Sequence, residues 1–362
     1  MIKNDILLII GNGFDLQCGL KSSYADFFDW LRKDDTRSNA NLWAVHFLSS
    51  PPTGQRWADV ENKLQKLLSE TNDIRFKSNS FNATQLKSWS NAAVKFYKDR
   101  KNKGAAEYTK IKEVEYIMKY IDSRGRELFP FDAYWFLDEL KMLERQFAKY
   151  LQAEVSNNTN YLINAAKLME MMTNEGYVHV LNFNYTNPFK FDQLKSSHKK
   201  PRCMVANVTN VHGTYENDNI IFGIDATATV PSSAFIFTKT HRKMLQDTPS
   251  RALPWRVEEI KFYGHSLGQA DYSYFQSIFD YYDLYGDRLI ANKLSANPVI
   301  LQFYFTIYDE SRKTEIMRDA VGRVYRLITA YGNTLDNKDK GKNLLHKLLV
   351  EGRVQIEFFE NI

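Results

Sequence analysis

Cysteine is almost missing from this chain: Cys18 and Cys203 are the only two in 362 residues. Two thiols cannot build a four-cysteine zinc module or a disulfide framework, so a reducing compartment is expected and no metal is. Long hydrophobic runs are lacking too, and none approaches the roughly 18 residues that a membrane span needs. The apolar run at residues 6–10 breaks at Gly11 without a small-residue cleavage site, so it reads as a strand and not as a secretory signal. Charge of one sign is in short supply: 48 Lys and Arg face 43 Asp and Glu, which leaves +5. The longest basic stretch, around Lys199, Lys200 and Arg202, is too short to form a nucleic-acid groove. These shortages together predict a soluble, cytoplasmic protein with neither a membrane nor a nucleic acid as partner.

What the chain does have is material for a core. Hydrophobic residues are 44% of it, with 24 Phe and 21 Tyr, a globular composition that argues against disorder. Continuous apolar runs bounded by turn residues mark strands buried on both faces, as in parallel sheets. They fall at residues 6–10, 177–183, 204–211 and 220–224, and residues 259–263, 298–306 and 354–359 have the same β-rich character, with helical patterns at 271–282 and 314–331 between several of them. This alternation predicts an α/β fold, a Rossmann-like parallel sheet with helices on both faces. Residues 57–172 show helical periodicity and no strand, so the sheet domain is assigned to residues 1–56 and 173–362 and a large helical insertion to 57–172. The polar stretch 72–104 is expected to be its most mobile part, and the insertion is expected to cover the pocket as a lid.

Four short segments follow predicted strands. The first is Gly11-Asn12-Gly13-Phe14-Asp15, where glycine permits a tight turn and close approach of a phosphate. It is not a dinucleotide fingerprint, because Leu16 stands where a third glycine would be needed. The next helix is expected only after Ser22 or Ser23, with Ser23 and Asp26 forming a capping box and Tyr24, Phe27, Phe28 and Leu31 on one face. A plain strand-to-loop turn explains these glycines equally well. The second segment, Asn182-Phe183-Asn184-Tyr185-Thr186-Asn187, brings uncharged carboxamides suited to ribose hydroxyls or a held water, with Asn187 capping the next helix. The third is Val211-His212-Gly213, and a histidine at the end of a buried strand is either structural or catalytic. The fourth is Gly264-His265-Ser266, with Asp271 capping the next helix. All four lie past the carboxyl ends of strands, the edge where open α/β sheets bind ligands. At such an edge Asn184 and His212 are expected to keep access to water. Trp57-Ala58-Asp59-Val60-Glu61 reads as a helix start with acidic residues in its first turn, and Glu61 is kept as an acidic group near the pocket.

The ordered set IIGNGFDLQCGLKSSYADF, WADVE, LNFNYT, VHG and YGHSLGQAD resembles the AbiH family, bacterial proteins named for abortive infection against bacteriophage. The resemblance spans nearly the whole chain and implies a role in phage defence. The same motifs look like a distant version of the sirtuin fold, which binds NAD at the carboxyl edge of a parallel sheet. Asp15 falls where sirtuins usually have serine, Asn184 on their ribose-site asparagine, His212 on their catalytic histidine, and Gly264 and Ser266 on a segment that contacts ribose and phosphates. Thr186 departs from the pattern, since an acidic residue is usual there, and the deacylase zinc module is missing.

The resemblance therefore implies a sirtuin-like NAD glycohydrolase that cleaves NAD to nicotinamide and ADP-ribose. Asn184 and His212 would be catalytic, with Gly11, Asn12, Gly13, Phe14, Asp15, Asn182, Tyr185, Thr186, Gly213, Gly264, His265 and Ser266 around the NAD. A phage-derived trigger or partner protein and a homo-oligomer are the expected partners. Two other readings stay open: a module that senses NAD or a related nucleotide without cleaving it, and a metal-dependent nuclease or nucleotide hydrolase using Asp15, Asp59 and Glu61.

Overall fold

The structure, a computed structural model, describes residues 5–34, 42–49, 60–61, 63–64, 133–173, 176–189, 203–225, 232–246, 251–268, 271–286 and 298–360. Six strands form one sheet: β1 (Asp5–Ile10), β2 (Gly176–Asn182), β3 (Cys203–Asn210), β4 (Glu259–Tyr263), β5 (Ile300–Ile307) and β6 (Val354–Glu360). Every pairing is parallel and the order is β3-β2-β1-β4-β5-β6, the Rossmann arrangement. The strand order reverses at β1, which lies between β2 and β4. In β1, Leu7 and Ile9 belong to one core cluster and Leu8 and Ile10 to another, so both faces are covered and the strand reads as an unbroken apolar run. Between β2 and β3 the register shifts at Val178/His179, where Val178 faces Val205 but His179 faces Asn207, so Ala206 is the extra residue of a bulge.

Short α1 (Asn12–Gln17) begins directly after Gly11, which corrects the expectation of a delayed helix. Gly11 takes the N-cap position in extended conformation, and two glycines in the opening turn disguise the helix in the sequence. The expected helix follows as α2 (Tyr24–Arg32), where Ser23 Oγ accepts from the Asp26 amide at 3.1 Å and caps as predicted. Next come α3 (Leu42–Ser49), α4 (Ala133–Asn157), α5 (Tyr161–Met172), α6 (Lys239–Met244), α7 (Tyr272–Tyr281), α8 (Lys313–Gly332) and α9 (Lys338–Val350). One sheet face is covered by α5, through Tyr161, Ala165, Leu168 and Met172, and by Phe14 of α1. The opposite face carries Phe275, Ile278 and Phe279 of α7, Val324, Leu327 and Ile328 of α8, and Leu344 and Leu348 of α9.

The chain divides into two compact units, Met1–Ser22 with Leu151–Asn219 and Thr248–Ile362, and Ser23–Tyr150 with Ile220–Asp247. Helix α5, expected within the insertion, thus packs on the sheet and belongs to the first unit. The stretch 72–104 lies outside the described residues. The second unit has an aromatic core: the Phe147 ring lies 5.3 Å from Tyr24 and 4.9 Å from Phe27, and Phe222 meets Tyr24 at 5.4 Å. Residues 220–224, expected as a strand, make only one isolated bridge, Ile224 to Thr238. Their hydrophobicity serves burial in this unit, and their backbone is held by side chains instead of a ladder. The Phe222 amide donates to Glu144 Oε1 at 2.6 Å, and Arg242 donates to the Phe222 carbonyl at 2.8 Å while forming a buried pair with Glu144.

Candidate functional site at the carboxyl edge of the sheet

Parallel pairing brings the ends of β1, β2, β3 and β4 to one edge. At the reversal point the loops after β1 and β4 are bonded to each other. The Gly11 amide donates to the Tyr263 carbonyl at 3.0 Å and the Gly13 amide to the Gly264 carbonyl at 2.8 Å. A Cβ on Gly13 would lie 2.7 Å from Gly264 Cα, and one on Gly264, whose φ is +67°, would lie 2.2 Å from the Phe14 amide nitrogen. The close approach that these glycines allow is made by backbone to backbone. Asn12 Oδ1 accepts from Ser22 Oγ at 2.6 Å, and Phe14 is fully buried against Phe189 and Tyr263.

On the α7 side of the sheet, His212 Nε2 lies 3.0 Å from Asp271 Oδ1, and His265 Nε2 lies 3.3 Å from Asp271 Oδ2. All three residues are buried. His265 Nδ1 accepts from the Leu267 amide at 3.0 Å, so its hydrogen is on Nε2 and points at the carboxylate. An ionised Asp271 only accepts, so it also takes the Nε2 hydrogen of His212, and Nδ1 becomes the basic nitrogen of that ring. The Phe183 ring wedges between the histidines, 5.5 Å from His212 and 4.8 Å from His265, while Tyr185 stands 6.4 Å from His212. Asp271 makes no side-chain cap bond to α7, so the role expected for it is corrected to that of a carboxylate shared by two histidines.

Asn184 stands between those two aromatic residues. Its backbone amide is fixed by Asn182 Oδ1 at 2.9 Å, and Asn182 Nδ2 donates to the Thr186 carbonyl at 2.6 Å and to Asn210 Oδ1 at 2.7 Å. The Asn184 carboxamide is buried, and neither Nδ2 nor Oδ1 has a hydrogen-bond partner. Leaving a buried amide unpartnered costs about 1–3 kcal/mol, a cost that a hydrogen-bonding group placed there would relieve. Asn182 pairs with Asn210 in the sheet, so Asn184 and His212 each stand two residues past one register pair. The expectation that both face water is corrected: Asn184 is 3% exposed and His212 2%.

Asp15 lies on the opposite, α5 side and is fully buried. Its Oδ1 accepts from Tyr161 at 2.7 Å and its Oδ2 from Thr186 Oγ1 at 2.6 Å. Burial pushes its carboxyl up to about 6, against the pull of the hydrogen bonds from Thr186 and Tyr161. Tyr161 and Thr186 also line a cleft of about 370 Å³, together with Asn158, Asn187, Tyr215 and Glu216.

The remaining predicted residues have local roles. Gly213, at φ +81°, turns the chain where a Cβ would meet the Asn219 carbonyl at 2.0 Å, and Ser266 Oγ accepts from the Gly268 amide at 3.4 Å. Glu61, expected near the pocket, pairs with buried Lys239 within the second unit, and Asp59 lies outside the described residues. Among the described residues no group of three or more His, Cys, Asp or Glu is arranged to hold a metal ion, and no helix is long and apolar enough to cross a membrane. Two site residues escape the sequence reading, Asp271 and Tyr161. Tyr161 reads as one more apolar position on an amphipathic helix, and nothing local in the chain announces its partner.

No curated protein matches the chain, and no solved structure does. A family model does, that of bacteriophage abortive infection AbiH, over residues 7–289. The match opens within β1, runs through the ends of β2, β3 and β4, and closes past α7, taking in Asp15, Asn184, His212 and Asp271 alike: the chain belongs to the AbiH family.

Proposed function

We propose that this AbiH protein is a sirtuin-like NAD glycohydrolase of phage defence, which cleaves NAD to nicotinamide and ADP-ribose. One observation carries the reading: an unpartnered, buried Asn184 carboxamide two residues past the same register pair as a His212 held by Asp271. Nicotinamide leaves NAD as a neutral molecule from a cationic ring, so its departure needs no strong acid. What the reaction needs is the ribose held, the developing oxocarbenium stabilised and a water placed on the open face. Asn184 holds a ribose hydroxyl or that water. His212, basic at Nδ1, takes the proton that the water gives up as its oxygen bonds to the ribose carbon and the bond to nicotinamide breaks. Asp271 fixes the tautomer and stabilises the imidazolium.

The amides of Gly11 and Gly13 already donate inside the protein, so phosphate contacts have to come from other groups. Incubating purified protein with NAD, alone and with lysate of phage-infected cells, tests the proposal. Release of nicotinamide and ADP-ribose supports it, tight NAD binding without turnover favours a sensor, and absence of both overturns it. The infected lysate also reads the proposed phage-derived trigger, and light scattering of the same samples reads the proposed homo-oligomer.

A further inference from the structure

His265 has no step of its own in the proposed reaction, yet three separate segments are shaped around it. A Cβ on Gly11 would lie 2.7 Å from His265 Cα and 2.9 Å from its Cδ2, so the first glycine after β1 makes room for this ring. Phe183, after β2, and Phe275 of α7 close on it with centroids 4.8 and 4.9 Å away. Leu267 takes φ +54°, a left-handed conformation that costs a residue with a side chain about 1–2 kcal/mol, while packing against the sheet core. In that conformation its amide donates to His265 Nδ1 at 3.0 Å. The hydrogen of the neutral ring is thereby on Nε2, the nitrogen that faces Asp271 at 3.3 Å. Both nitrogens are engaged inside the protein, so this histidine can steer a neighbour but has no atom left for a substrate.

The neighbour is Asp271. Its carboxylate makes no side-chain cap bond that would set its rotation, and either oxygen could serve His212. A ring fixed opposite Oδ2 removes that choice and leaves Oδ1 for His212 Nε2 at 3.0 Å. We propose that His265 is a positioning residue: seated against Gly11 and held at Nδ1 by the strained Leu267, it sets Asp271 so that His212 keeps its hydrogen on Nε2 and offers Nδ1 as the base. This rests on the role given to His212 above. The strain at Leu267 then serves the site, since it aims the amide that decides which nitrogen of His265 carries a hydrogen.

Two amide variants test the inference, because they imitate different nitrogens of the ring. His265→Gln carries its nitrogen to about the place of Nε2 and can still donate to Asp271, whereas His265→Asn ends near the place of Nδ1 and falls short. In protein labelled with ¹⁵N-histidine, the ring nitrogen signals report which nitrogen holds the hydrogen, and those of His212 are assigned by their loss in His212→Asn. We expect a single Nε2–H form of His212 in the wild type and in His265→Gln, and a mixture of both forms in His265→Asn. NAD turnover should fall at least about tenfold in kcat in His265→Asn and stay within about fivefold of wild type in His265→Gln. A wild-type His212 with its hydrogen on Nδ1 overturns the inference, as do two folded variants that behave alike in the spectrum. The expected spectra in a protein that never consumes NAD support the positioning role and overturn the proposed reaction instead. Should His265→Asn fail to fold, the wild-type spectrum decides, since Nε2–H is required of His212 and His265 together.

Discussion

Asp271 reaches His212 across 59 residues of sequence, Oδ1 to Nε2 at 3.0 Å, and this single bond fixes which nitrogen of the histidine can accept a proton. Replacing the carboxylate with a carboxamide attacks that arrangement. In Asp271→Asn the new Oδ1 can still accept from one histidine, but Nδ2 then faces the Nε2 hydrogen of the other. We expect NAD turnover to fall by about 100-fold or more, with the loss in kcat, and thermal stability to fall by about 1–3 kcal/mol. Kinetics and melting curves on one preparation check both, and unchanged kcat would remove Asp271 from the mechanism.

His212→Ala should cost stability as well as activity. The ring is buried against Phe183 and Tyr274, so its removal leaves a cavity and takes one partner from Asp271. A loss of about 2–4 kcal/mol is expected, while His265 keeps the carboxylate from being stranded. Turnover per folded molecule should still drop by about 100-fold. If turnover tracks only the folded fraction, the histidine is structural.

Stability should depend on pH through Asp15. Its folded value of about 6 lies above the ordinary 3.8, so the folded chain binds this proton more tightly than the unfolded one. The contribution is therefore fully present below about pH 4 and is lost as pH rises through about 6, amounting to about 3 kcal/mol. Asp15→Asn abolishes that component. Urea midpoints of both proteins at pH 4.5 and 7.5 should differ more in the wild type's disfavour at the higher pH, and a constant difference would show that Asp15 does not titrate in this range.

Gly264→Ala should be among the most damaging small substitutions in the sheet unit. A methyl group there meets the Phe14 nitrogen at 2.2 Å in a backbone conformation that favours glycine. The loops after β1 and β4 would have to part and give up the Gly13 to Gly264 bond. Differential scanning calorimetry should show a loss of more than about 2 kcal/mol. A melting temperature within a degree of wild type would mean that the two loops are free to separate.

Much of this fold is written in local patterns. The unbroken apolar run at β1 is legible because parallel strands are buried on both faces, and Ser23 announces α2 through its own hydroxyl. Residues 220–224 carry the same apolar signal and mislead, since an apolar run records burial and not pairing, and here Glu144 and Arg242 satisfy the backbone from elsewhere in the sequence. The site divides in the same way. Asn184 and His212 are visible as polar residues stranded at the ends of apolar runs. Asp271 and Tyr161 are not, because what makes them matter is a bond to a residue 59 and 146 positions away.

The bulge in β3 has a consequence at the far end of that strand. Ala206 has no counterpart in β2, and the bulge absorbs it between the pairs Val178 with Val205 and His179 with Asn207. Were Ala206 instead to take its place in a regular ladder opposite His179, Asn182 would face Thr209 and Asn184 would draw level with Val211. His212 would then fall one place too late and no longer stand level with Asn184. A single alanine, exposed in mid-strand and with no polar atom in its side chain, thus keeps time between the two halves of the site by being left out of the pairing.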